Sequence, residues 1–240
     1  MKNKKHLLVI GGTSGIGLEY IKKINKKFNI TVFGRNKKNL EFLKKKFSSV
    51  NCHVCDVRNF KKLNQSFKKA VSIFGKIDIL LYCAGIQILK PHRMMNKEDF
   101  DLCYSTNLGG ALNSSNIFLS NKISNEKSVF CAISSISSFL SEPGLVSYSV
   151  SKSGLNTMIK GLARECAPRR FVGLAPGWLK TNMTENQKFY NNQIISIIKK
   201  KSPLGLIEMK DVLNLISFLT SSKAKNITGQ IIRVDGGFSV

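Results

Sequence analysis

This chain of 240 residues predicts an α/β fold, built as one doubly wound parallel sheet of about seven strands with helices on both faces. Three observations predict it. Short apolar runs alternate with longer amphipathic segments along the whole chain. Several runs are nearly continuous hydrophobics, as strands covered on both faces require. A glycine-rich turn stands between the first run and the first amphipathic segment.

The strands are read at His6–Ile10, Ile30–Phe33, Val50–Cys55, Ile77–Tyr82, Ser128–Ile133, Phe171–Leu174 and Gln230–Val234. Between them, Leu18–Phe28 carries Ile21, Ile24 and Phe28 at helical spacing. Leu40–Phe47 forms the second helical stretch, and Phe60–Phe74 the third, with Leu63, Phe67, Val71 and Phe74 on one face. Asn96 is a predicted N-cap, with Glu98 and Asp99 placed to meet the helix dipole. There is no repeat, linker or low-complexity break. Residues 1–240 are therefore read as one domain, with a substrate lid around residues 178–205.

Apolar content of 42% is enough for a full core. No stretch reaches the roughly 18 apolar residues of a membrane span. The run Leu7–Ile10 stops at Gly11, too short for the core of an export signal. The expectation is a cytoplasmic protein whose six cysteines are reduced, buried thiols. Cys52 and Cys55 spell C-x-x-C, but in a strand they point to opposite faces, and no second pair completes a metal site. No metal is expected. The net charge of +24 could serve a nucleic acid or another acidic partner. Yet it comes from 31 Lys and only 7 Arg, scattered as solvated helix faces and ends. The reading is compositional, with no nucleic acid and no membrane, and an acidic macromolecular substrate is kept open.

The turn Gly11-Gly12-Thr13-Ser14-Gly15-Ile16-Gly17 lets the backbone bend tightly and approach a pyrophosphate, which then meets the free N–H groups of the next helix. This is the start of a Rossmann-type dinucleotide site. The second strand ends at Phe33-Gly34-Arg35, where an NAD site commonly carries an acid for the ribose. A cation there suits a 2′-phosphate, so NADP(H) is expected over NAD(H).

Tyr148 and Lys152 lie one helical turn apart, thirteen residues after Ser135. An ammonium beside a phenol favours the phenolate and lowers a pKa that is normally about 10. A phenol so tuned gives or takes a proton, and a serine hydroxyl can hydrogen-bond the reacting oxygen. With 31 lysines in the chain, a lone Tyr-x-x-x-Lys carries little weight. The order of the motifs carries the argument.

That order resembles the short-chain dehydrogenase/reductase family over essentially the whole chain. Gly11, Gly15 and Gly17 match its glycine motif, and Asp56-Val57 its adenine contact. Ala84-Gly85 matches the segment after strand four, Asn107 the helix asparagine, and Ser135, Tyr148 and Lys152 the catalytic set. Pro176-Gly177, with Thr181 beyond, resembles the segment that holds the nicotinamide, and 227–237 the C-terminal strand. Three departures stand out. Ile10 replaces a threonine, Tyr82-Cys83 replaces paired asparagines, and Gly173 stands where an asparagine is usual.

The resemblance implies hydride transfer between a nicotinamide and a carbonyl. Tyr148 acts as acid or base, Lys152 lowers its pKa and holds the ribose, Ser135 polarises the carbonyl, and Asn107 links Lys152 to solvent through a water. The expected nucleotide contacts are Gly11, Thr13, Ser14, Gly15, Ile16, Gly17, Arg35, Asp56, Val57, Ala84, Gly85, Tyr148, Lys152, Pro176, Gly177 and Thr181. Trp178, Met183, Phe189 and Tyr190 suit a lid over an apolar substrate. The spacing most resembles 3-oxoacyl-[acyl-carrier-protein] reductases, with Lys127, Arg169 and Arg170 as a basic rim for an acidic carrier. A sugar, polyol or secondary-metabolite ketone is the alternative substrate, and an idle binding protein of this fold the remoter one. Family members assemble as homotetramers or homodimers, and the same is expected here.

Overall fold

The computed structural model describes residues 4–47, 49–179 and 192–240. Its strands are β1 (His6–Ile10), β2 (Asn29–Gly34), β3 (Val50–Val54), β4 (Ile77–Tyr82), β5 (Ser124–Ile133), β6 (Arg170–Pro176) and β7 (Ile231–Val234). They form one sheet in the order β3-β2-β1-β4-β5-β6-β7, and every neighbouring pair is parallel. The order reverses direction at β1, which is where such sheets open a crevice at their carboxyl ends.

Alternation along each strand builds two cores. Leu7 and Val9 face one side, where α1 (Gly15–Ile24), α2 (Lys37–Lys46) and α7 (Met209–Leu219) bring Tyr20, Leu40 and Ile216. Leu8 and Ile10 face the other, where α3 (Phe60–Phe74), α5 (Gly110–Phe118) and α6 (Val146–Glu165) bring Phe67, Phe118 and Ile159. Cys52 packs in the first core and Cys55 in the second, so the C-x-x-C pair is split by the sheet. All six cysteines are free. No helix among the described residues is long and apolar enough to cross a membrane.

Asparagines start three helices. Asn36, Asn59 and, at α4 (Lys97–Tyr104), Asn96 each accept a hydrogen bond from a first-turn N–H at 2.9–3.1 Å. Several boundaries differ from expectation, most of all at α1 and β5. Helix α1 begins at Gly15 rather than Leu18 and stops at Ile24 rather than Phe28. Strand β5 starts at Ser124, pairs once with Ile77, and resumes at Val129 opposite Ile79. Asp78 holds this irregular corner, accepting from His6 N at 2.8 Å and Asn125 Nδ2 at 2.9 Å.

Candidate active site

The carboxyl ends of β1, β4, β5 and β6 carry the site. At the end of β1, Gly11 has φ +84°, and a Cβ there would stand 2.6 Å from the Ala84 backbone nitrogen. A Cβ on Gly17 would stand 2.7 Å from the Gly11 oxygen, so only glycine lets α1 start this close to the turn. Two adjoining cavities open over this floor. The first, about 200 Å³, is lined by Ser14, Gly15, Ile16 and Gly17 on one side and by Ser135, Tyr148, Lys152, Pro176 and Gly177 on the other. The second, about 130 Å³, is lined by Thr13, Arg35, Asp56, Val57, Ala84 and Gly85. Gly11 and Ser14 line both. The expected residues thus converge on one trough, except Thr181, which lies outside the described residues, as do Met183, Phe189 and Tyr190 of the expected lid.

A dinucleotide fits this trough. The α1 N-terminus has no side-chain cap at Ser14 and no acid in its first turn, so its N–H groups are open to an anion. Gly15, at φ +52°, has nothing within 4 Å of where a Cβ would be. Thr106 lines the second cavity, and its buried hydroxyl has no hydrogen-bond partner among the described residues.

On α6, Tyr148, Lys152 and Asn156 follow at i, i+4 and i+8 and so share one face. Tyr148 and Lys152 are 8% and 4% exposed. The Lys152 ammonium donates to Ile133 O at 2.8 Å and lies 5.8 Å from the Tyr148 ring centre. Ser135 lies two residues beyond β5, and its Oγ accepts from Ser137 N at 3.1 Å. The Ser135 hydroxyl lies near enough to the Tyr148 phenol to favour its ionised form. Asn107 sits in a π-helical turn (Ser105–Gly109) between α4 and α5, fully buried. Its amide clasps Ile86, accepting from the N–H at 2.8 Å and donating to the carbonyl at 2.9 Å. It also donates to Ser151 Oγ at 2.9 Å. A Cβ on Gly85 would stand 3.3 Å from both Asn107 Oδ1 and Lys152 Nζ, so these three groups meet. Single-turn π distortions of this kind occur often at functional sites.

The electrostatics depart from the sequence expectation of an acidified phenol. Burial pushes the Tyr148 phenol up to about 12, and the Ser135 hydroxyl pulls only partly against it. Burial brings Lys152 down to about 8. The lysine makes its hydrogen bond to a carbonyl of β5, and desolvation outweighs charge at both groups. At the other end of the trough, Asp56 is held below its usual range by Arg58, which grips it at 2.6–3.1 Å, and by the more distant Arg35.

Two of the three departures from the family pattern have a packing reason. The Tyr82 phenol donates to Thr106 O at 2.7 Å, tying β4 to the π-turn. It thereby supplies a strand-to-loop tie at the position of a missing asparagine. A Cβ on Gly173 would stand 2.8 Å from Ile159 Cδ1 and 3.2 Å from Ile231 Cγ1, so α6 lies too close for a side chain there. Nothing comparable explains Ile10, which is simply core.

The expected basic rim is corrected. Lys127, Arg169 and Arg170 precede or begin the pairing of β5 and β6, at the amino ends of the strands and opposite the trough. Arg170 is tied inward to the carbonyls of Leu219, Ser221 and Ile227 at 2.9–3.2 Å. Arg169 is occupied by Ser124 and Asn121.

Sequence reading missed Thr106, Arg58 and Asn156. Asn156 accepts from Ser134 Oγ at 2.6 Å and donates to Ser138 Oγ at 2.8 Å, wiring the serines around Ser135 to α6. Its place four residues beyond Lys152 was the available signal. Arg58 stands two residues from Asp56 and could have been read as its partner.

These features define an oxidoreductase of the Rossmann type. A family profile described as Enoyl-(Acyl carrier protein) reductase matches residues 11–239. The chain belongs to the short-chain dehydrogenase/reductase family, whose members use nicotinamide cofactors. Within it, the chain is 31% identical over 245 residues to the 3-oxoacyl-[acyl-carrier-protein] reductase FabG of Buchnera aphidicola, covering 99% of this chain and 98% of that protein. It is 30% identical to a tropinone reductase homolog of Arabidopsis thaliana, covering 97% and 89%. Its fold matches that of a variant actinorhodin polyketide ketoreductase crystallised with NADPH, with a TM-score of 0.92, 22% identity, and coverage of 100% and 98%.

Proposed function

We propose that this chain is an NADP(H)-dependent ketoreductase that interconverts a 3-oxoacyl thioester, carried on an acyl-carrier protein, with its 3-hydroxy form. The observation that carries the chemistry is the meeting of Ser135, Tyr148 and Lys152 in one cavity with the Gly15–Gly17 helix start. The near full-length similarity to FabG supports the substrate. The nucleotide preference rests on Gly34 and Arg35. A Cβ on Gly34 would stand 2.7 Å from Thr13 Cγ2, which leaves no room there for an acid to meet a ribose. Arg35 lines the second cavity and offers a cation instead.

The open N-terminus of α1 would hold the pyrophosphate, Asp56 and Val57 the adenosine end, and Pro176 and Gly177 the nicotinamide end. The bound nicotinamide supplies the hydride. A carbonyl oxygen placed between the Ser135 and Tyr148 hydroxyls takes a hydrogen bond from each. With its pKa pushed up, Tyr148 is protonated at neutral pH and can hand its proton to that oxygen. The Lys152 ammonium then stabilises the phenolate left behind. Asn107 fixes Ile86 and Ser151, and so the positions of the loop beside Lys152 and of the helix that carries it.

The test is NADPH consumption with acetoacetyl thioesters. The expected result is turnover, with NADPH preferred to NADH by at least about tenfold, and a Tyr148→Phe variant that keeps the packing and loses over about 90% of kcat. A tenfold preference for NADH, or retention of more than about a tenth of kcat, refutes the corresponding assignment.

A further inference from the structure

A third cavity, of about 220 Å³, adjoins the catalytic one. Its body is apolar, walled by Leu89, Pro143, Ile197, Ile198 and Phe238, with Lys201 among its lining. Four residues line both cavities: Gln87, Glu142, Leu145 and Trp178. Three of them bear polar groups at the junction. The Trp178 indole N–H is buried with no hydrogen-bond partner among the described residues. An indole can only donate, so this is an unmet donor. The Glu142 side chain is half-buried, and no described residue gives it a hydrogen bond or ion pair. Burial raises its pKa, and only the more distant Lys201 works the other way. A partly desolvated acceptor and a buried donor, each without a partner among the described residues, are unfavourable until a ligand meets them. They line the junction between the catalytic cavity, which holds Ser135 and Tyr148, and the apolar one.

We propose that Trp178, Glu142 and Gln87 form a specificity collar for a neutral group that both accepts and donates a hydrogen bond, a secondary amide or a hydroxyl, with the apolar segment beyond it lying in the third cavity. The indole N–H donates to the group's oxygen, and Glu142 accepts its N–H or O–H. This deepens the ketoreductase reading by naming what the substrate carries beside its ketone, and it rests on that reading for the position of the ketone alone.

The test uses 3-oxobutanoyl thioesters of ethanethiol, 2-mercaptoethanol and N-acetylcysteamine, which share a ketone and differ only in the distal group. The 3-hydroxybutanoyl forms of the same three are titrated in parallel. Trp178 is the single tryptophan of the chain, so its emission reports binding without turnover. The hydroxyl or acetamide compound is expected to bind at least about tenfold tighter than the S-ethyl compound and to alter the emission. In Glu142→Leu and Trp178→Phe, the ratio of KM values between S-ethyl and polar thioesters is expected to fall toward unity. Glu142→Gln, which keeps an acceptor oxygen, retains part of the ratio. An acetamide preference points to the amide arm of a carrier, and a hydroxyl preference to a polyol-like substrate. Either supports the collar. Binding of all three within about twofold, no emission change with any, or ratios untouched by both variants overturns it. Tight, selective binding without turnover sinks the ketoreductase reading and leaves the collar standing.

Discussion

Removing one oxygen atom from Tyr82 tests whether this chain replaces a missing asparagine with a phenol. Tyr82 is fully buried, and its ring lies stacked 6.4 Å from that of Phe130. Phenylalanine preserves that contact and deletes the 2.7 Å hydrogen bond to Thr106 O. A buried hydrogen bond of this kind contributes about 1–2 kcal/mol. A Cβ on Gly110 would stand 2.4 Å from the Tyr82 hydroxyl, so the oxygen fills space that Phe leaves empty. At about 2–4 °C per kcal/mol for a chain of this size, Tyr82→Phe should lower Tm by roughly 2–8 °C. Tyr82→Asn, which restores the family residue, should cost more, about 3–5 kcal/mol, because it also empties the ring's volume. Thermal unfolding followed by circular dichroism measures both. A Tyr82→Phe protein that melts within about 1 °C of the parent, or an asparagine variant more stable than the phenylalanine one, refutes the reasoning.

Gly173→Asn likewise restores a family residue, and it should destabilise by about 1–3 kcal/mol, since its Cβ would meet Ile159 and Ile231. Equal urea midpoints for variant and parent would contradict this. Lys152 gives a pH-dependent result. Its folded pKa, about 8, lies below the ordinary 10.5, so the folded state binds fewer protons between those values and stability rises with pH across that window. Below about pH 8 the full cost of charging it is present, about 3 kcal/mol. The stability of Lys152→Met relative to the parent should therefore decline by about that amount from pH 8 to 10.5, while reductase activity is lost at every pH. A pH-independent difference between the two proteins would show that Lys152 titrates normally.

Most of the sheet was readable because strands covered on both faces must be continuous hydrophobics, and His6–Ile10 and Ile77–Tyr82 fall at the expected residues. The start of β5 was not, because Ser124–Lys127 is polar and is held by a side chain, Asp78, from another strand. The trough was readable from glycines and from the order of the motifs. Its electrostatics were not, since spacing places Tyr148 near Lys152 but says nothing of how dry both become. Tyr82 read only as the replacement of an asparagine, because its hydroxyl's partner is 24 residues away on a turn that no periodicity marks. The basic rim failed differently. Lys127 lies in the early part of β5 and Arg169 just before β6, which puts both at the end remote from a crevice at the carboxyl ends.

The junction between the catalytic and apolar cavities has an evolutionary consequence. Tyr148 and Lys152 belong to a long helix packed on the sheet, whereas Glu142 lies in the loop before that helix and Trp178 just after β6. Residues of the second kind can drift without disturbing the first. A lineage can exchange one ketone for another by a few point changes at the doorway, and inherit its reductive apparatus unaltered.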